Sequence, residues 1–213
     1  MSGTTLAILP VKGFDRAKQR LREAVPDGPR AGLAEAMVAD VLTALAEVEG
    51  LGGTIVVTAE PAAAALTAEA GAEIVHDPAE AGQSAAVALG IARAIERGAA
   101  RVLLVPGDCP ALDPAEVEQL LAAREPVVVV PDRHGTGTNA LLLTPPDAIA
   151  PAFGPGSRAR HEALAREAGL GCRVLELPSL GLDADTPADL AALRASGRLG
   201  ARSRATVDRL VPR

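Results

Sequence analysis

Residues 101–110 read RVLLVPGDCP, an apolar run that ends in a turn carrying one carboxylate. A second run, PVVVVP at 126–131, is apolar at every position. Half-buried strands alternate polar and apolar residues, whereas short continuous apolar runs are typical of parallel strands covered on both faces. These two runs therefore predict the centre of a sheet that has helices on both sides.

Other short apolar runs along the chain extend this sheet. The predicted strands are Leu6–Pro10, Thr54–Thr58, Glu73–His76, Val102–Pro106, Val127–Pro131, Ala140–Thr144 and Arg173–Leu177. Segments of helical character separate them, and such alternation predicts an open α/β fold with a mostly parallel, twisted sheet flanked by helices. Sheets of this kind bind ligands beyond the carboxyl ends of their strands, where the loops carry the chemistry.

Helical periodicity fills the intervals between strands. Apolar side chains recur every three or four residues at Leu33, Met37, Val41, Leu45 and Val48, and at Val87, Ile91 and Ile95. Asp113 and Thr186, each followed by proline, are predicted to cap two further helices. Residues 1–196 are expected to form one domain, and the arginine-rich stretch 197–213, which has few apolar residues, is predicted to be a solvated, flexible tail.

Composition excludes several classes of function. The chain has two Phe, no Trp and no Tyr, and its formal net charge is −6. Base-stacking platforms and a basic field are therefore both missing, which argues against nucleic-acid partners. We expect no membrane association, because no apolar run is long enough to span a bilayer. Two cysteines are too few for a disulfide framework, so a cytoplasmic protein is expected. A homodimer is compatible with the sequence.

A basic loop follows the first predicted strand. It contains Lys12, Lys18 and Arg20, and such a loop at a strand's carboxyl end can hold a triphosphate. The sequence lacks both GxxxxGK[ST] and GxGxxG, so the loop is not a P-loop. A solvated helix face is the alternative interpretation.

Two acidic loops are candidates for a metal site. Asp108 follows the most hydrophobic strand, and Asp113 already serves as the nearby helix cap. Asp183 and Asp185 are separated by one residue, and on an extended segment both carboxylates lie on one face, an arrangement that can hold Mg²⁺ against phosphate oxygens. The alternatives are a turn for Asp108 and simple helix capping for Asp185.

Two glycine-containing loops can contact small ligands. Gly154 and Gly156 allow a close approach of the backbone, and Ser157 opens a helix whose free N–H groups favour an anion. Arg158 and His161 add positive charge, so an oxyanion or phosphate site is favoured over a plain turn. The loop 80–86, with Gly82 and Ser84, is a weaker candidate for contacting the base or ribose of a nucleotide.

Taken together, these loops resemble the phosphoenolpyruvate/2-phospho-L-lactate guanylyltransferase family of coenzyme F-420 biosynthesis. The resemblance spans Leu6 to about Leu193 and rests on LPVK with AKQRL, VPGDCP, GTGTNALLL, FGPGSRARH and LDADTPADL. It implies a single domain of the nucleotide-diphospho-sugar-transferase type. The chain has Gln83–Ser84 where relatives tend to read Leu-Asn.

The resemblance also implies a reaction, in which GMP moves from GTP to the phosphate of phosphoenolpyruvate or 2-phospho-L-lactate and pyrophosphate is released. It implies Mg²⁺ ligands at Asp108, Asp183 and Asp185, and it places Lys12, Lys18 and Arg20 near the triphosphate. Lys12, Lys18 and Asp108 are predicted to be catalytic, and Gly82 and Ser84 are predicted to bind the nucleotide. The resemblance implies Thr138, Gly154 and Ser157 around the acceptor, and Arg158 and His161, from the charge of the same loop, are also predicted to bind the substrate. The alternatives are a nucleotidyltransferase with another base or a sugar-phosphate acceptor, and a non-catalytic nucleotide-binding module.

Overall fold

The computed structural model describes residues 3–16, 18, 21 and 27–210. The strands are β1 (Thr5–Val11), β2 (Leu51–Thr58), β3 (Glu73–His76), β4 (Arg101–Leu104), β5 (Val127–Pro131), β6 (Thr138–Leu143) and β7 (Cys172–Val174). They form one sheet in the order β3-β2-β1-β4-β6-β5-β7. Only β6 is antiparallel to its neighbours in this sheet, so the predicted mostly parallel sheet is confirmed.

The helices are α1 (Asp27–Ala46), α2 (Pro61–Glu69), α3 (Gln83–Glu96), α4 (Pro114–Leu121), α5 (Ser157–Glu167), α6 (Pro187–Ser196) and α7 (Ala201–Leu210). A 3₁₀ turn occupies Phe14–Arg16. Asp113 caps α4 by accepting from Ala115 N–H, and Thr186 forms a capping box with Asp189 at the start of α6, as the sequence predicts. Among the helices of the described part of the chain, none is long and apolar enough to cross a membrane.

The sheet is covered on both faces because successive side chains of a strand point to opposite sides. In β1, Ala7 and Leu9 pack in the core that includes α1, α2 and α4. Leu6 and Ile8 pack in the opposite core, which includes α3 and α5. This arrangement explains why the strand sequences are continuously apolar.

One apolar stripe differs from its prediction. Val87 and Ile91 of α3 are buried, but Ile95 is 47% exposed. The face of α3 that lies on the sheet is completed by small residues, Gly90 and Ala94. A Cβ at Gly90 would collide with the side chain of Ile8, so the glycine allows α3 to approach β1 closely.

The structure corrects the prediction of a flexible tail for residues 201–210, which form α7. Val207 is 1% exposed and packs in a cluster with residues of α1 and α6. The Asp40 carboxylate of α1 accepts hydrogen bonds from the N–H groups of Arg202 and Ser203 at 3.1 and 2.8 Å, which caps α7. Few apolar residues suffice here because Ser203 and Val207 lie on one helical face.

Candidate active site

A cavity of about 430 Å³ opens at the carboxyl edge of the sheet. Lys12, Lys18, Asp108 and Asp185 line it beyond β1 and β4, whereas Asp77 and Gly82 line it beyond β3. Apolar side chains of α1 and α3 form the walls between these two ends. The location is the one expected for ligand binding in an open α/β sheet.

Three carboxylates form an acidic cluster beside the cavity: Asp108, Asp183 and Asp185. Each offers one oxygen, and the three oxygens lie within 4.8 Å of one another. The backbone aligns the two loops, since Ala184 N–H donates to Asp108 O at 3.1 Å. Hard divalent cations prefer such oxygen ligands, so the donor set fits Mg²⁺.

The electrostatics of the acidic cluster favour a bound cation. Burial, together with the charges of Asp108 and Asp185, raises the pKa of Asp183 to about 6. Like charges at this separation disfavour simultaneous ionisation. A cation at the cluster removes that penalty.

Lys18 supplies a positive charge within the chain. Its ammonium contacts Asp108 and lies 3.0 Å from an Asp185 oxygen, and only 7% of its side chain is exposed. Burial lowers the pKa of Lys18, but the charges of Asp108 and Asp185 outweigh this and hold the pKa above its ordinary value. The structure thus joins the basic and acidic loops that the sequence places 90 residues apart.

Of the two remaining residues of the basic loop, the structure describes one. Lys12 is exposed and lines the cavity. Arg20 lies outside the described residues. Lys12, Lys18 and Asp108 therefore all line the same cavity.

The far end of the cavity includes a residue that sequence reasoning missed. Asp77 directly follows β3, is only 6% exposed and lines the cavity together with Gly82. Its position at the carboxyl end of a predicted strand was the signal that could have identified it. Ser84, which is predicted to contact the nucleotide, accepts a hydrogen bond from Phe153 N–H at 3.1 Å.

The predicted acceptor residues lie on the other side of the acidic cluster, around β6 and α5. Thr138 Oγ1 and His161 Nδ1 are 3.0 Å apart, and His161 Nε2 accepts from Ala152 N–H at 2.9 Å. Since Nε2 is the acceptor, Nδ1 carries the proton and donates to Thr138. The hydroxyl proton of Thr138 is then directed elsewhere.

His161 does not provide the positive charge that the sequence predicted. Its side chain is fully buried, and burial together with the charge of Arg160 lowers the pKa of His161 to about 4. The ring is therefore neutral at pH 7 and is held by two hydrogen bonds. The hydrogen bond from Nδ1 fixes the orientation of the Thr138 hydroxyl.

The N–H groups at the start of α5 donate to other residues of the protein, whereas the sequence predicts that they bind an anion. Ser157 N–H donates to Gly154 O at 3.0 Å, and Arg158 N–H donates to Thr136 O at 3.2 Å. The Arg158 guanidinium bonds Glu162 at 2.9 Å. The fixed loop conformation comes from these bonds, and Gly154 adopts a φ of 107° that favours glycine.

Asn139 connects this side of the site to the acidic cluster. Its Nδ2 donates to Leu180 O at 2.8 Å and lies 3.4 Å from an Asp183 oxygen. These contacts hold the start of β6 next to Asp183. The sheet order β1-β4-β6 therefore places the acidic cluster between the cavity and the Thr138 segment.

Comparison with known proteins identifies the family of this chain. Residues 5–206 match the model of the family described as "Guanylyl transferase CofC like". The chain belongs to this family. The match extends into α7, in agreement with the packing of that helix and beyond the Leu193 limit of the sequence resemblance.

Two curated relatives in this family carry different acceptor names. The chain is 53% identical over 205 residues to a phosphoenolpyruvate guanylyltransferase from Conexibacter woesei, covering 93% of this chain and 92% of that protein. It is 40% identical over 190 residues to a 3-phospho-D-glycerate guanylyltransferase from Phenylobacterium zucineum, covering 86% of each.

A solved structure supports the fold assignment. A Desulfovibrio desulfuricans protein of the nucleotide-diphospho-sugar transferase type superposes with a TM-score of 0.75 at 18% identity, covering 97% of both chains. At this identity the likeness shows the fold alone. The expected nucleotide-diphospho-sugar-transferase-like architecture is confirmed.

Proposed function

We propose that the protein transfers a guanylyl group from GTP to the phosphate of phosphoenolpyruvate and releases pyrophosphate, as a cytoplasmic enzyme of coenzyme F-420 biosynthesis. One observation carries the proposal: the acidic cluster, in the loops after β4 and before α6, lies between a nucleotide-sized cavity and a second polar segment. The 53% identity to a protein named for this activity supports the choice of substrates. We call the cavity the donor side and residues 135–161 the acceptor side.

On the donor side, the triphosphate is expected near Lys12 and Lys18, because both line the cavity next to the acidic cluster. Lys12 is exposed and free to approach the phosphates. Lys18 is held by Asp108 and Asp185, so it presents its charge at a fixed place. Together they favour the negative charge that develops on the departing pyrophosphate.

Asp108, Asp183 and Asp185 are the residues that would hold Mg²⁺. When bound there, the ion would neutralise phosphate charge and orient the triphosphate. The chain's own contribution is to set the three oxygens within 4.8 Å of one another. Lys18 additionally reduces their mutual repulsion.

The chemistry requires little of the protein besides positioning. An oxygen of the acceptor phosphate forms a bond to the α-phosphorus of GTP, and the bond from that phosphorus to the oxygen bridging to the β-phosphate breaks. The leaving pyrophosphate takes the electron pair. The acceptor phosphate is already an anionic nucleophile, so no general base is needed, and orientation with charge stabilisation accounts for the catalysis.

On the acceptor side, Thr138 is the residue best placed to donate to the acid. His161 donates to its oxygen, which leaves the Thr138 hydroxyl proton for an anionic ligand. Gly154 and Ser157 would shape the backbone around the acid. Arg158 would act through its bonds to Glu162 and Gly135 rather than as a freely mobile charge.

Product analysis tests the function directly. The full chain is incubated with Mg²⁺, each of the four nucleoside triphosphates, and phosphoenolpyruvate, 2-phospho-L-lactate or 3-phospho-D-glycerate. Mass spectrometry should detect the guanylylated phosphoenolpyruvate and an equal amount of pyrophosphate. A different nucleotide or acid in the main product would contradict the proposal, and nucleotide binding without any transfer would favour a non-catalytic module.

A further inference from the structure

The donor side contains a buried carboxylate that the proposed chemistry does not use. Asp77 follows β3 and is only 6% exposed, yet it lines the cavity. A carboxylate so removed from solvent is costly unless it is hydrogen-bonded. Asp77 therefore requires partners, either in the protein or in a ligand.

The described part of the chain supplies only part of that bonding. Asp77 Oδ1 accepts from the N–H of Glu80 at 3.1 Å, which fixes the orientation of the carboxylate. Its second oxygen, Oδ2, has no hydrogen bond to any residue in the described part of the chain. A carboxylate can accept about four hydrogen bonds, so capacity remains on both oxygens.

The position of Asp77 identifies which part of a nucleotide it can meet. Neighbouring strands lie about 5 Å apart, so the end of β3 is roughly 10 Å from the end of β1 and roughly 15 Å from that of β4. Lys12 follows β1 and Asp108 follows β4, at the phosphate end. Asp77 lies at the opposite end of the same cavity, where a nucleotide extends its base.

A carboxylate at this end of the cavity can distinguish the bases, because an ionised carboxylate only accepts hydrogen bonds. Guanine presents two adjacent donors, N1–H and the N2 amino group, to a carboxylate. Adenine and cytosine pair one amino donor with a ring-nitrogen acceptor, and uracil places its single N–H between two carbonyl oxygens. Only guanine offers two neighbouring donors, and a bidentate contact to an ionised acceptor is a strong and specific hydrogen-bonding mode.

We propose that Asp77 is the residue that selects guanine, its carboxylate accepting the N1–H and N2–H₂ groups of the base. Gly82 and Gln83 line the cavity beside it and provide room for the ring. A Cβ at Gly82 would meet no atom within 4 Å, so this wall is open rather than packed. The assignment moves base recognition from Ser84, which is bonded to Phe153, to Asp77.

This inference rests on the proposed guanylyl transfer and makes it more specific. The decisive variant is Asp77→Asn, because an amide presents one acceptor and one donor. That pattern suits xanthine, which has N1–H next to a carbonyl oxygen, and no longer suits guanine. Removal of a hydrogen bond to a charged group should lower kcat/KM for GTP about 10- to 100-fold. Transfer from XTP should rise, so the ratio of kcat/KM for GTP to that for XTP should fall by more than the loss in kcat/KM for GTP alone.

Two controls make the comparison specific. Asp113→Asn makes the same chemical change at the α4 cap, away from the cavity, and should keep the wild-type ratio. Glu80→Gln tests the neighbouring carboxylate in the cavity wall, and its ratio should also stay close to that of the wild type. Circular dichroism of each variant shows whether it is folded.

A measurement on the wild-type protein avoids dependence on any variant. ITP differs from GTP only by the missing 2-amino group, so kcat/KM for ITP should be about 10-fold lower. Three results would each overturn the assignment. They are equal use of GTP and ITP by the wild type, an unchanged GTP-to-XTP ratio in Asp77→Asn, and a change of preference from GTP to XTP in Glu80→Gln. If the wild type instead transfers no guanylyl group at all, the proposed function itself fails, and this outcome is distinct from the others.

Discussion

The donor side is a cavity lined by charged side chains, whereas the acceptor side uses most of its polar groups for internal hydrogen bonds. Lys12, Lys18 and Asp108 line the cavity. Across the acidic cluster, Thr138 and His161 are buried and bonded to each other. In the proposed function, the donor side would recognise its ligand by charge, and the acceptor side would do so through a few groups held in fixed orientation.

The largest expected effect comes from the acidic cluster, which both sides share. Asp108→Asn removes a charge from the site of transfer, so kcat/KM should fall about 10³-fold for GTP and for phosphoenolpyruvate alike. Pyrophosphate release measures the rate, and circular dichroism should show an intact fold. Asp113→Asn serves as the matched control. A near-normal rate in Asp108→Asn with Mg²⁺ present would remove this carboxylate from the site.

Thr138→Val should affect the acceptor side alone. The substitution keeps the shape but removes the hydroxyl proton that His161 leaves for the ligand. KM for phosphoenolpyruvate should rise about 10- to 100-fold, since a donor to a charged group is lost. GTP binding, measured by calorimetry, should not change.

Thr138→Ser provides the matching conservative variant. It retains the hydroxyl and should restore most of the acceptor affinity. Ser157→Ala changes a residue that is 1% exposed, and it should raise the acceptor KM less than Thr138→Val does. If Thr138→Val weakened GTP binding instead, the two sides would have been assigned in reverse.

Lys12→Ala should produce a smaller effect, limited to the donor side. Lys12 is exposed, so solvent weakens its attraction to phosphates, and KM for GTP should rise about 5-fold. The effect should diminish at high ionic strength because exposed charges are screened. Steady-state kinetics at two salt concentrations give the comparison. An equal rise in the acceptor KM would contradict the separation of the two sides.

The contrast between the sides also explains what could be predicted from the sequence. Continuous apolar runs identify the central strands, and capping residues identify the starts of α4 and α6. The charged residues of the donor side lie in the loops that follow β1 and β4, so their location at one edge of the sheet is a consequence of topology. Lys18 and Asp108 are 90 residues apart in sequence and meet at this edge for that reason.

The acceptor side was harder to predict because its chemistry depends on hydrogen bonds between neutral groups. A histidine near two arginines suggests positive charge, but burial makes His161 neutral. The N–H groups of α5 looked available, yet Gly154 and Thr136 oxygens accept two of them. Burial and orientation of this kind arise only when the chain is folded.

The smallest expected effect is a pH dependence of stability, which also comes from the acidic cluster where the two sides meet. Asp183 has its pKa raised from 3.8 to about 6, and it lies beside Asn139 of the acceptor side. A raised pKa in a carboxylic acid means that the folded state holds the proton more tightly than the unfolded chain does. Its contribution to stability is therefore present at low pH and is lost as the pH rises from 3.8 to about 6.

Thermal unfolding without divalent cations should reveal this loss. Relative to Asp183→Asn, which does not titrate in this interval, the wild type should lose on the order of 3 °C in Tm as the pH rises through it. Mg²⁺ competes with the proton, so its affinity should increase above pH 6, and saturating Mg²⁺ should reduce the difference between the two proteins. Identical pH profiles for both proteins, with and without Mg²⁺, would show that Asp183 neither titrates near pH 6 nor contributes to a cation site.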